Sequence, residues 1–256
     1  FFFSFQMEQQ AKLLENEELM DTKDFRIKVR ESLWKRLEQE SDVLVLGEVG
    51  SRSFKGVYDN LSDMDFICIA SEKIHDTSEK RKERSKELFS IIKETLESNC
   101  AAIEFEHEYL WDFDVFHMIY RFENTDDSPI PPTLLIDFGI MFEEQLWKPF
   151  TTPEQHGMSV IFFDKENLTS SPPDFDVEGH VTRMEADLKN TISKFGIFQS
   201  FIGKEYFRNH FLGAWDYYQE YTLAPLIKVL HMKYEPLRYF FGLRYVHHFG
   251  YPKELE

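Results

Sequence analysis

Cysteine is scarce in this chain. The two present, Cys68 and Cys100, have no partner at ligand spacing, so neither a disulfide framework nor a thiolate metal site is expected. Basic charge is also short. Only 29 Lys and Arg stand against 46 Asp and Glu, a net charge of −17. Such a surface repels polyanions, which argues against a nucleic-acid substrate and favours a cationic small molecule. No apolar run is long enough to span a bilayer, so no membrane association is expected. The opening FFFSF lacks a basic stretch and a following apolar run. It reads as neither a secretion signal nor an anchor, and the chain reads as cytoplasmic. There is no internal repeat and no low-complexity tract. What the chain does have is apolar mass: 42% hydrophobic and 16% aromatic residues. That is enough for a sizeable core, in one large domain or two modest ones.

The most informative stretch is 43–70, VLVLGEVGSRSFKGVYDNLSDMDFICIA. An apolar run from Val43 to Leu46 reads as a buried strand. Gly50-Ser51 then makes a turn, and a connector containing Gly56 and Asn60 follows. A second strand, Phe66 to Ala70, is entered through Ser62-Asp63-Met64-Asp65. Side chains at i and i+2 of a strand share a face, so Asp63 and Asp65 project together and Met64 points the other way. Two carboxylates this close repel unless a cation lies between them. Oxygen-only ligands suit Mg²⁺, which completes its shell with phosphates and water. Gly50 allows close backbone approach, Ser51 offers a hydroxyl, and Arg52 is placed to pair with a phosphate.

Gly50-Ser51 followed by Ser62-Asp63-x-Asp65, each at a strand edge, resembles the signature of the polymerase-β-like nucleotidyltransferases. Within that superfamily it is most similar to the bacterial aminoglycoside and lincosamide nucleotidyltransferases. The resemblance implies an α+β fold: a nucleotidyltransferase domain over 1–170, with a mixed sheet flanked by helices, and a helical acceptor-binding domain over 177–256. It implies Mg²⁺ and ATP, or another nucleoside triphosphate, as cofactors. Gly50, Ser51, Arg52 and Ser62 would bind the nucleotide. It further implies a third metal-ligating carboxylate on a neighbouring strand. Asp137 is assigned that role because it lies mid-strand in the apolar run TLLIDFGIMF, where an unpaired carboxylate is unfavourable. The expected activity is transfer of AMP to a hydroxyl of a small molecule, an aminoglycoside or lincosamide, in a pocket between the domains. Glu185 is the first candidate to take the hydroxyl proton, with Glu178 and Asp187 as alternatives. A protein-modifying or antitoxin-like partner is the competing reading, and a homodimer is allowed.

Elsewhere the patterns are structural. Phe25, Val29, Leu33 and Leu37 form one helical stripe, with Asp24 as its cap. A helix is expected over about 77–98, its charged first half reading as a solvated face. Residues 101–123 read as two strands, or one bent strand, broken near Trp111-Asp112. His107 and His117 read as packed or surface residues, and Glu104, Glu106 and Glu108 as a solvent-facing stripe. Residues 124–132 form a loop. A short strand, Ser159 to Phe163, interrupts the irregular 143–180 segment, and 169–176 marks the domain boundary. Helices follow from 178, with breaks expected at Gly196 and Gly203, a start or kink at Pro225 and an interruption at Pro236. The aromatics Trp215, Tyr217, Tyr218, Tyr221, Tyr239 and Phe240 read mostly as core.

Overall fold

The computed structural model describes residues 22–54, 57–111, 115–124, 130, 133–143, 152–170, 174–243 and 246. The expectations for residues 1–21, Gly56, most of the 124–132 loop, residues 144–151 and the tail beyond 246 lie outside these.

The apolar stripe 29–33–37 folds as foreseen into α1, Lys23–Leu37, and Val29, Leu33 and Leu37 are fully buried. Thr22, not Asp24, occupies the cap position. Asp24 lies in the first turn, where its charge meets the positive end of the helix dipole. The chain continues through β1, Val43–Glu48, a 3₁₀ turn at Gly50–Ser53, and β2, Met64–Ala70. Next come α2, Ser78–Asn99, then β3, Ile103–Trp111, β4, Val115–Phe122, and β5, Leu135–Phe142. A single turn of helix, α3, Pro153–His156, precedes β6, Val160–Asp164. The strands form one six-stranded mixed sheet in the order β3-β4-β5-β2-β1-β6. Every neighbouring pair is antiparallel except β2 with β5. The class is therefore α+β.

One sheet face carries the main core. Met64, Phe66 and Cys68 of β2 and Phe138 and Ile140 of β5 pack there with Val29, Leu33, Leu88, Ile92 and Leu96 of the helices. The opposite face holds a smaller cluster of Leu44, Val45, Ile67, Ile69, Val115 and Met141. Leu44 and Val45 both join it because β1 bulges against β2 between Val43 and Val45, which breaks the strict alternation.

The charged start of α2 is not wholly a solvated face. Arg84 is drawn inward, where it donates to both Asp42 oxygens (2.7 and 2.8 Å) and to Glu40 (2.6 Å). His75 Nε2 lies 2.9 Å from Asp42 Oδ2. A buried carboxylate needs such partners. The β3 acids are exposed, yet Glu106 pairs with Lys93 of α2 at 2.9 Å and Glu104 with Arg121 at 3.1 Å.

The chain divides into two compact units, Phe1–Pro173 and Asp174–Glu256. The second contains α4, Val177–Phe207, α5, Phe211–Tyr218, a π-helical turn at Gln219–Leu223, α6, Ala224–Tyr234, and a 3₁₀ turn at Pro236–Arg238. Asp176 caps α4, accepting from the Gly179 amide at 2.8 Å. Two expectations are corrected here. First, α4 runs unbroken through Gly196 and Gly203, since a glycine weakens a helix interior by only about 1 kcal/mol. Second, of the aromatics expected in the core, only Tyr239 is buried, while Trp215, Tyr218 and Phe240 are exposed. A small set of helices encloses little volume, so its aromatics stack on one another instead. Phe198 lies on Tyr221 with centroids 4.4 Å apart, and Trp215 on Tyr218 at 5.7 Å. Pro225 has no N–H to offer the Tyr221 carbonyl four residues back. Gln199 Nε2 donates to that carbonyl at 2.8 Å.

Candidate functional site

Parallel pairing of β2 with β5 sets Asp65 directly beside Asp137. Alternation then assigns their side chains to one face. Met64 and Phe66 belong to the main core, so Asp65, with Ile67 and Ile69, projects from the opposite face. Asp137 follows by register, since its neighbours Ile136 and Phe138 are core residues. Asp63 stands just ahead of β2. Its Oδ1 accepts from the amide of Leu135, the first residue of β5, at 3.4 Å. The three acids thus lie at one end of the same strand pair.

The connector feeding Asp63 is clamped by α1. Arg26, 2% exposed, donates to the carbonyls of Asn60 (2.9 Å) and Ser62 (2.5 Å), and to Thr22 Oγ1 (2.8 Å). The Ser62 hydroxyl donates to Asp59 Oδ1 at 2.9 Å and accepts from the Asp59 amide at 3.0 Å. Ser62 therefore closes the connector's own turn.

Gly50 has φ +62°, and a Cβ built on it would lie 1.8 Å from Asp65 Oδ2. The turn therefore rests its bare backbone against the carboxylate. The Val49 amide ties it down further by donating to the Asp65 carbonyl at 2.8 Å. Ser51 is 9% exposed, and its Oγ is buried with no hydrogen-bond partner. A buried hydroxyl left unmatched is unfavourable in the protein alone and available to a ligand oxygen.

Arg52 points elsewhere. Its guanidinium lies 4.8 Å from the Tyr58 ring centroid, and its Nε is 3.8 Å from Glu48. Glu48 is fully buried, and Arg30 holds it with two bonds of 2.7 and 2.8 Å. It pairs with Phe66 across β1 and β2, so its charge faces α1, away from Asp65.

Asp137 is held by Tyr109, to which the pattern gave no role, and by His117, which it read as a packed or surface residue. Tyr109 Oη donates to its Oδ2 at 2.9 Å, and His117 Nδ1 donates to its Oδ1 at 2.9 Å. Tyr109 and His117 are cross-strand neighbours on β3 and β4, with ring centroids 4.9 Å apart and planes at 21°. His117 is 4% exposed. Its ring has room because Gly139, directly across on β5, carries no side chain. A Cβ there would meet His117 Cε1 at 3.1 Å and Ile67 Cδ1 at 2.9 Å. The signal available in the sequence was this glycine, two residues after Asp137 in an otherwise apolar strand.

Glu185 is exposed on α4, and Glu178 lies in the first turn of that helix. Asp187 lies 3.4 Å from Lys228 Nζ. All three belong to the second unit. Among the described residues, no three His, Cys, Asp or Glu side chains form a group that could hold a metal ion. Asp65 and Asp137 are thus a register pair accompanied by Asp63, not a finished three-ligand cage. The donor chemistry still suits Mg²⁺, which is commonly bound through one or two carboxylates, its remaining positions taken by water and substrate phosphates. Also among the described residues, no helix is long and apolar enough to cross a membrane.

Comparison with protein-family models and with curated proteins finds no match to this chain.

Proposed function

We propose that the chain is a Mg²⁺-dependent nucleotidyltransferase of the polymerase-β-like kind. It transfers a nucleoside monophosphate, AMP from ATP, to a hydroxyl of a small cationic molecule of the aminoglycoside or lincosamide type. The observation that carries this reading is the contact of Gly50 with Asp65, whose register partner is Asp137. A turn with no side chain against a carboxylate pair leaves backbone and hydroxyl donors next to oxygen ligands. That is the combination a metal–triphosphate complex needs.

In this reading Asp65 and Asp137, with Asp63, hold the cation, and Ser51 Oγ donates to a phosphate oxygen. A cation bound there neutralises charge on the triphosphate and on the departing pyrophosphate. The acceptor oxygen bonds to the α-phosphorus, the bond from that phosphorus to the bridging oxygen breaks, and pyrophosphate leaves. The hydroxyl proton passes to a general base, a carboxylate or water beside the acceptor. Little covalent chemistry falls to the protein, so positioning and charge dominate. The net charge of −17 favours a cationic acceptor over a nucleic acid.

The test is incubation with ATP labelled at the α-phosphate, Mg²⁺ and a panel of aminoglycosides and lincosamides. Labelled acceptor and free pyrophosphate are expected. Asp65→Asn should lower the rate by about 10³-fold, the scale of losing a main charge-stabilising group. Label on protein instead of small molecule would replace the acceptor class with a polypeptide. Absence of both product and ATP binding overturns the proposal.

A further inference from the structure

We infer that Tyr109 and His117, seated by Gly139, are positioning residues for Asp137. They set the orientation in which its carboxylate meets a divalent cation beside Asp65. This rests on the nucleotidyl-transfer reading of the site.

A carboxylate on a strand turns broadly about its terminal torsion unless something holds it. Here each oxygen of Asp137 accepts one short bond, from Tyr109 at 2.9 Å and from His117 at 2.9 Å. Turning the carboxylate breaks both bonds together. An ionised carboxylate has about four acceptor positions, so two donors leave roughly two for a metal or its water. Tyr109 and His117 belong to β3 and β4, and the strand order places these on the far side of β5 from β2. The donors thus approach from one flank, leaving the flank toward Asp65 for the ion.

The donors are themselves held. His117 is buried, and Tyr109 stacks between it and His107, whose ring centroid is 6.2 Å away. Gly139 gives the imidazole its room: a Cβ there would crowd both Ile67 Cδ1 at 2.9 Å and His117 Cε1 at 3.1 Å. What separates a positioning histidine from a packing one is its bond to Asp137. Hydrogen-bond partners behind metal ligands typically control affinity or activity by about 10- to 100-fold.

The experiment is Mn²⁺ titration of the protein saturated with α,β-methylene ATP, which blocks transfer, with free ion followed by electron paramagnetic resonance. Metal-free melting curves are recorded in parallel. Tyr109→Phe and His117→Leu are expected to weaken Mn²⁺ binding by about 10- to 100-fold. His117→Asn keeps an N–H near the position of Nδ1 and is expected to recover most of that loss. The metal-free melting midpoint of Tyr109→Phe should stay near wild type. Unchanged Mn²⁺ affinity in Tyr109→Phe and His117→Leu, with wild-type transfer intact, overturns the positioning role and leaves the transfer reading standing. Equal loss in His117→Asn and His117→Leu, with matching falls in metal-free melting, marks a structural histidine and also overturns it. A wild-type protein that takes up no Mn²⁺ overturns both readings.

Discussion

Gly50 and Asp65 touch so closely that any side chain at position 50 must displace the carboxylate: a Cβ there would lie 1.8 Å from the Asp65 carboxylate oxygen, and the backbone is already at φ +62°. Alanine in that conformation costs about 1–2 kcal/mol by itself. The larger effect is on Asp65, which must turn away from its neighbour on β5. Gly50→Ala should therefore reduce transfer by about 10²-fold, as expected for a displacement of about 1 Å at the chemistry. Its melting midpoint should fall by only a few degrees. The labelled-ATP assay and a thermal melt, run together, check both.

Ser51→Ala should move two quantities in opposite directions. The Ser51 hydroxyl is buried without a partner, so its removal relieves a desolvation penalty of about 1 kcal/mol and raises the stability of the nucleotide-free protein. The same change removes the proposed phosphate contact and should weaken ATP binding by about tenfold, since bonds to charged groups contribute about 1.5–3 kcal/mol. Urea unfolding and ATP titration separate the two effects.

Acid should weaken the fold through Asp42. Burial works against its ionised form, but the bonds from Arg84 and His75 more than offset this and hold its carboxyl below the usual range. Glu40, on the same guanidinium, is held down chiefly by its bond to Arg84. A carboxylate with a lowered folded pKa stabilises fully above its unfolded value of about 3.9 and loses that contribution as pH falls through the lower folded value. Asp42→Asn should cost about 3 kcal/mol at pH 7, because it leaves Arg84 largely buried with a broken pair. The gap to wild type should then narrow as pH falls toward and below 3.9, read from urea midpoints across that range.

The two thiols should react at very different rates. Cys68 is fully buried in β2, and burial pushes its thiol up to about 12. Thiolate is the reactive form, so Cys68 should resist alkylation in the native protein. Cys100 is only partly buried. Burial raises its thiol too, while the Ser32 hydroxyl acts against the rise. Iodoacetamide followed by mass spectrometry should label Cys100 first, and Cys68 only in denaturant.

Much of the scaffold could be read from local pattern. The i+4 stripe of α1 and the apolar runs of β1, β2 and β5 are one-dimensional signals, and the elements follow them closely. The position of Asp137 was legible for a similar reason, since a carboxylate inside an apolar strand demands a partner. The identity of that partner was not. Tyr109 and His117 reach Asp137 only through the pairings of β3 with β4 and β4 with β5, and strand register is a tertiary property. Arg84 was hidden in the same way: on its helix it looks like any surface charge, and only its distance to Asp42 across the fold reveals otherwise. The exposed aromatics of α4 and α5 show the converse limit, because helical spacing gives a face but not what covers it.

The two strands that bring Asp65 and Asp137 into register are parallel neighbours, and α2, β3 and β4 lie between them in the chain. No hairpin can form this pairing early; it waits for a long excursion of the chain to close. During synthesis, Asp65 leaves the ribosome well before its counterpart exists. On the proposed reading, a nascent chain or fragment ending before β5 should therefore be inert toward nucleotide however well its first helices form, and ATP binding should begin only once β5 has joined β2.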